Sequence, residues 1–245
     1  EAWKIALRNQ FHDIIPGSSI HEVYEDSTAE YAKANEILDT IEENALKVLV
    51  RESDSIVTVV NNSSFAGEGI VTVKVKAYEG RKGSWFSADG KELPAVYTED
   101  GWFVKVSGIE PAGFTTLTYK IGTKAECFCT EEWTGEMDTP FYHIVWDKKG
   151  RMTSIFDKEN DREILKAGEL GNHLVVYEDR PMKYDAWDID IYYQEKGYEV
   201  DDLKTVSVEK SSLMTKVKMD WNYQDSTISQ EIRFYNDNRR IDFVT

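Results

Sequence analysis

Two stretches of this chain concentrate side chains capable of chemistry. The longer, Asn172 to Tyr193, holds His173, Glu178, Asp179, Tyr184, Asp185, Trp187, Asp188 and Asp190, and closes on Tyr192 and Tyr193. Aromatic rings interleaved with carboxylates suit sugar binding, because a ring stacks on a pyranose face while carboxylates accept its hydroxyl hydrogens. The same composition also describes a solvated acidic loop with Tyr184 and Trp187 packed on a neighbouring sheet. A calcium loop is excluded, since the required glycine and terminal glutamate are missing. The shorter stretch, Asn9-Gln10-Phe11-His12-Asp13-Ile14-Ile15-Pro16-Gly17-Ser18-Ser19-Ile20, crowds a histidine, a carboxylate and two amides beside a helix break.

The elements that must position the shorter stretch are helical. Trp3, Leu7, Phe11 and Ile14 recur at helical spacing and make one apolar stripe. Pro16 disfavours the α conformation at Ile15, and Gly17 tolerates left-handed geometry, so the pattern predicts a helix ending there. His12 and Asp13 then occupy its last turn, placed to reach outward. The alternative is that they cap the helix end, where the dipole favours a protonated imidazole. After Gly17 the chain restarts as helix, with Ser19 and Glu22 in capping-box spacing. Ile20, Tyr24, Ser27, Tyr31, Ala34, Leu38, Ile41, Ala45 and Val48 then form a heptad-like seam. One seam needs a partner, and the short first helix covers only part of it, so the pattern predicts a helical hairpin from a truncated bundle.

Between Val50 and Ser55 the period changes from helical to two. Ile56 to Val60 is a β-branched strand; Val71, Val73 and Val75 alternate with polar neighbours. Gly80 to Gly83 and Ala88-Asp89-Gly90 read as loops. Trp102, Val104 and Val106 alternate again, as do Leu117, Tyr119 and Ile121. A second β region starts near Thr139, with a hairpin turning at Asp147 to Gly150, and four further strands follow from Val206. The expected fold is α+β and mainly β: a helical part at 1–52, a small β-sandwich at 53–125, and an antiparallel sandwich at 126–245 that is left unfinished, the chain stopping at Thr245 within a strand-like run. Its unfinished sheet exposes an open edge, which favours oligomerisation.

Composition narrows the function classes. The chain has 245 residues, of which 41% are hydrophobic and 30% charged, as in a globular protein. A net charge of −16 argues against nucleic acid and anionic membranes as partners. No apolar run approaches the roughly 20 residues that a bilayer requires. Cys127 and Cys129 stand two apart in a strand-like segment, which points both to one face and suits free thiols in a reducing cytoplasm. His21 follows a capping position and His143 alternates with apolar partners on a strand, so neither reads as a ligand. Ser18 and Ser19 lack a basic partner at hydrolase spacing, and no phosphate-binding glycine loop occurs.

The Asn9 to Ile20 stretch resembles the histidine-bearing segment of glycoside hydrolase family 38, the retaining α-mannosidases. Asn172-His173-Leu174-Val175, Asp179-Arg180-Pro181 and Asp185-Ala186-Trp187-Asp188 resemble a second block of that family, of its cytosolic and bacterial branch. The resemblance implies a divalent metal, usually zinc, with His12 matching a metal ligand and Asp13 a residue that contacts sugar hydroxyls. It implies that His173, Asp185 and Asp188 lie near the sugar-binding cleft. It further implies that the nucleophile, the acid/base and the other metal ligands belong to an N-terminal catalytic domain that precedes Glu1. This chain alone is then expected to be inactive and metal-free, with mannose-containing glycans and that catalytic domain as its partners. The rival expectation is a glycan-binding or structural sandwich with no chemistry of its own.

Overall fold

The structure is a computed structural model that describes residues 1–50, 53–74, 82–98, 101–184 and 186–245. It is mainly β with a helical hairpin at the N-terminus, as the change of period requires. Two compact units are present: Glu1–Glu52 with Val176–Tyr198, and Ser53–Val175 with Glu199–Thr245. Among the described residues, no helix is long and apolar enough to cross a membrane.

The first unit is built on α1 (Ala2–Asn9) and α2 (His21–Leu49). The expected apolar stripe of α1 is not the face it buries. Trp3, Leu7 and Phe11 are 78%, 65% and 53% exposed, whereas Ile5 and Asn9 are buried. A polar node selects that face. Asn9 Nδ2 donates to the Ile5 carbonyl at 3.0 Å and to Glu30 Oε2 on α2 at 2.8 Å. Arg8 Nε donates to the same carboxylate at 3.1 Å. With eight residues, α1 is about 12 Å long, against about 43 Å for the 29 residues of α2. It therefore covers the seam only around Ala34, and Leu38, Ile41 and Val48 remain exposed.

The corner between the helices also differs from expectation. Helix α1 stops at Asn9, not at Ile15. A helix continued through Pro16 would drive its ring against the His12 carbonyl, four residues back. The chain instead takes overlapping turns: Ile14 N–H donates to the Phe11 carbonyl at 2.9 Å and Gly17 N–H to the Ile14 carbonyl at 3.1 Å. Gly17 takes φ +79°, which its missing Cβ allows. The capping box is not formed, since α2 starts after Ile20 with no side-chain cap. Ser19 uses its backbone N–H instead, donating to Tyr24 Oη at 2.9 Å.

The second unit carries strands β1 (Ile56–Val60), β2 (Gly67–Val73), β3 (Lys82–Phe86), β4 (Glu92–Leu93), β5 (Ala95–Thr98), β6 (Gly101–Ile109), β7 (Phe114–Lys124) and β8 (Glu126–Cys127). They form the sheets β1-β7-β3-β4 and β2-β6-β5-β8, antiparallel except for the pairing of β5 with β8. Between the two sheets lies one core that includes Trp85, Trp102, Val104, Leu117 and Tyr119. Gly83 belongs to β3, not to a loop, because the Tyr119 ring lies 2.3 Å from where a Cβ would stand. Ile121 breaks the expected alternation and is exposed. The expected inward Val75 lies outside the described residues.

At Phe128 the chain changes sheets. Cys127 closes β8 and Cys129 opens β9 (Cys129–Glu131), so the cysteines do not share one strand; both are free thiols. The Phe128 ring packs edge-on against Phe103 at 6.2 Å and accepts Lys216 Nζ over its face at 3.9 Å. Beyond it come β10 (Glu136–Asp138), β11 (Tyr142–Trp146), β12 (Met152–Asp157), β13 (Arg162–Glu163), β14 (Val175–Tyr177), β15 (Gly197–Glu199), β16 (Asp202–Lys210), β17 (Met214–Tyr223), β18 (Ser226–Tyr235) and β19 (Ile241–Val244). Sheets β10-β11-β12-β13 and β19-β18-β17-β16-β9 share a core of Ile144, Trp146, Met219, Trp221 and Phe234, and β14 pairs with β15. The hairpin turn at Asp147 to Gly150 is present; Gly150 takes φ +83° against Trp221, whose indole donates to the Lys149 carbonyl at 2.8 Å. Arg239 Nη2 reaches buried Asp157 Oδ2 at 2.6 Å, tying the β18–β19 turn to the end of β12.

Candidate functional site

The corner and the acidic segment meet within the first unit. Asp13, Gly17, Ser18 and Ser19 from the corner, with Tyr184, Ala186, Trp187 and Asp188 from the segment, line an open cleft of ≈ 720 Å³. Tyr24 on α2 holds the corner wall. Its hydroxyl accepts from Ser19 N–H and lies 3.4 Å from the carbonyl oxygens of both Asp13 and Ile14. Ser18 Oγ donates to the Asp13 carbonyl at 3.4 Å. These contacts use the backbone of Asp13, while its half-exposed carboxylate lies beside the His12 imidazole.

The opposite wall is a tight turn. Trp187 and Asp188 both donate their backbone N–H to the Tyr184 carbonyl, at 2.7 and 3.0 Å. Tyr184 itself stands at φ +59°, in the left-handed region that a bulky residue enters only at some expense. Asp190 Oδ2 accepts from Met182 N–H at 2.8 Å and closes the turn from below. At the base of the segment the Lys196 ammonium donates to Glu178 Oε2 at 3.0 Å, and Arg180 pairs with the same carboxylate. Lys196 and then Arg180 hold Glu178 below the usual carboxylate range. Tyr184 and Trp187 are 69% and 55% exposed. At that exposure neither is packed into a sheet.

The five residues singled out by type and motif fall into different places. Asp13 and Asp188 line the cleft together. His12 is exposed beside it, with Nε2 3.6 Å from Asp13 Oδ1. The helical separation of about 100° expected between consecutive residues does not apply, because both residues lie in turns. His173 belongs to the second unit, where its Nε2 lies 3.2 Å from Glu199 Oε1. Asp185 lies outside the described residues. The remaining histidines are satisfied locally, His21 by Glu25 at 3.4 Å and His143 by Asp138 at 3.4 Å. The sequence reading missed Ser18 and Ser19 as cleft residues. Their signal was available: two hydroxyls directly after a Pro-Gly corner that follows a His-Asp pair.

Carboxylates, hydroxyls and two exposed rings line this open cleft, and groups of these kinds can stack on a flat face and hydrogen-bond at a rim. The family profile for the α-mannosidase middle domain matches residues 1–49, and the profile for the glycosyl hydrolase family 38 C-terminal domain matches residues 137–245. The chain belongs to glycoside hydrolase family 38. Alpha-mannosidase G of Dictyostelium discoideum is 24% identical, over 99% of this chain and 26% of that protein. Human alpha-mannosidase 2C1 is 25% identical, over 79% of this chain and 17% of that protein. A family 38 protein from Enterococcus faecalis shares the fold, with a TM-score of 0.67 at 14% identity, over 99% of this chain and 38% of the other. A structure described as an alpha-mannosidase from Enterococcus faecalis V583 matches equally, with a TM-score of 0.67 at 15% identity, over 99% of this chain and 36% of that one. The chain thus spans about a quarter or less of the length of Alpha-mannosidase G and of human alpha-mannosidase 2C1.

The resemblance implies a divalent metal ion with His12 among its ligands. A zinc site takes three or more protein ligands. His12 and Asp13 offer one imidazole and one carboxylate, and no group of three or more His, Cys, Asp or Glu side chains among the described residues could hold a metal ion. Among the described residues the donor set is incomplete for such an ion.

Proposed function

We propose that this chain is the non-catalytic middle and C-terminal part of a retaining, exo-acting α-mannosidase, and that it supplies one wall of the sugar-binding cleft. The observation that carries the reading is the convergence of Asp13, Ser18, Ser19, Tyr184, Trp187 and Asp188 on one open cleft. In this reading Asp13 and Asp188 accept hydrogen bonds from sugar hydroxyls, and Trp187 and Tyr184 offer faces to the apolar side of a pyranose. His12 and Asp13 supply two donors of a divalent-metal site whose other ligands come from the catalytic domain. Such an ion, when bound, aligns sugar hydroxyls. A retaining glycosidase needs two carboxyl groups about 5 Å apart across the scissile bond, and both belong to the catalytic domain in this proposal.

The test uses the full-length protein and an aryl α-mannoside. Asp13→Asn keeps the shape of the side chain but weakens charge-assisted hydrogen bonds. It is expected to lower kcat/KM by roughly a hundredfold, from about 3 kcal/mol of lost interaction. Trp187→Ala should raise KM more than it lowers kcat, since stacking serves ground state and transition state alike. Unchanged kinetics in both variants would refute the cleft as the mannoside site. Metal-independent binding of mannosides by this chain, with no effect of either variant on hydrolysis, would favour a binding module instead.

A further inference from the structure

The cleft-lining turn rides on a long excursion, Val176 to Tyr198, whose two ends return to neighbouring points of the second unit. Val200 N–H donates to the Leu174 carbonyl at 3.0 Å, and β14 pairs with β15 just above. His173 stands on one side of this neck and Glu199 on the other, with Nε2 to Oε1 at 3.2 Å. Glu199 is itself fixed from below. Lys149 Nζ reaches its Oε2 at 3.2 Å and Arg151 Nη1 reaches the same oxygen at 3.0 Å, both from the hairpin at the start of β12. Asp147 and Asp201 hold those two cations in turn, Asp147 with Arg151 at 2.6 Å and Asp201 with Lys149 at 2.8 Å. Lys149 first, and then Arg151 and His173, keep Glu199 below the usual carboxylate range.

His173 is as firmly placed as its partner. Asn172, just before it, stands at φ +51° and donates its amide to the buried Gln230 side chain at 2.8 Å. The imidazole therefore meets Glu199 from a fixed backbone, and Glu199 meets it from a two-cation anchor. The resemblance implies a place for His173 near the sugar. In this structure, though, its Nε2 is occupied at the neck.

We infer that His173 is a positioning residue. It pins the neck of the 176–198 excursion through Glu199, and so restrains the turn that bears Tyr184, Trp187 and Asp188. The pair closes a loop, and closing a loop removes open conformations of everything between its ends.

Tryptic cleavage after exposed Lys183, at neutral pH and in the full-length protein, tests this without reference to any sugar. When opening is fast relative to cleavage, the cut rate follows the open population. His173→Ala and Glu199→Ala are each expected to raise cleavage at Lys183 by about two- to fivefold, the scale of one partly exposed polar contact. The melting temperature should stay within a degree or two. His173→Ala should add nothing in the Glu199→Ala background, and His173→Gln, which keeps a donor near Nε2, should restore slow cleavage. Additive effects of the two single variants would overturn the inference, as would unchanged cleavage at Lys183. Faster cleavage throughout the chain with a fallen melting temperature would show that His173 merely supports the sheets.

Discussion

Replacing Asn9 by alanine tests whether one buried amide determines how the helical hairpin docks. The side chain is 3% exposed and makes two hydrogen bonds, one to a neutral carbonyl and one to a carboxylate. A neutral bond contributes about 1 kcal/mol and a bond to a charged group about 1.5–3 kcal/mol. Glu30 keeps Arg8 as a partner and is 27% exposed, so water replaces part of what is lost. A net loss of about 2–3 kcal/mol follows, which is roughly a 30- to 150-fold rise in the undocked population of α1. Hydrogen exchange of the α1 amides reads that population directly. Asn9→Asp, similar in shape, sets a second carboxylate against Glu30 and should accelerate exchange further. Arg8→Ala, from a side chain that is 63% exposed, should change it by less than about 1 kcal/mol. If Asn9→Ala left exchange in α1 unaltered, or if Arg8→Ala proved the larger, the polar node would not be what selects the buried face.

Three further outcomes follow from the same contacts. Asp157 is held at a pKa of about 2, chiefly by the Asn160 amide and then by Arg239, against the opposing effect of burial. Its contribution to stability is complete above the unfolded value near 4 and is lost as pH falls through about 2. Arg239→Gln should therefore lower stability at neutral pH and flatten its decline between about pH 4 and pH 2, as measured by urea unfolding at a series of pH values. Gly150→Ala must adopt φ +83° with its new Cβ about 2.8 Å from Trp221. It should lose at least about 1–2 kcal/mol in the same assay, and a neutral result would mean that the turn rearranges freely. Calorimetry of this chain with zinc should show no tight stoichiometric site, since His12 and Asp13 supply too few donors; one tight ion abolished by His12→Ala would show that further ligands exist.

The β architecture was legible wherever one face is clearly apolar. Trp102, Val104 and Val106 alternate because a single core lies on one side of β6, and all three are buried there. Strand β1 spans the range its β-branched run suggested. The helical corner was less legible because its geometry depends on contacts distant in sequence. Glu30 turns Asn9 inward and leaves Trp3 and Leu7 outside, an inversion that no periodicity within α1 announces. Tyr24 likewise takes the Ser19 N–H that a local capping box would have used. Gly83 reads as a loop residue until Tyr119, far along the chain, is seen to need its space. Asp13 and Asp188 were recognisable as ligand-binding types, but only the fold of the first unit puts them on one cleft.

The excursion between Val175 and Glu199 has a consequence for how its sequence can change. Its ends are already held together by the Leu174–Val200 hydrogen bond and the His173–Glu199 pair. Doubling the length of such a loop adds only about 0.6 kcal/mol of closure entropy. Rings and carboxylates on the turn can thus be inserted, deleted or exchanged while the cores around Trp102 and Trp221 stay as they are. The neck is a socket. A segment grafted between residues 176 and 198 has to keep its packing against the helices of the first unit, while its two ends already have their fastening.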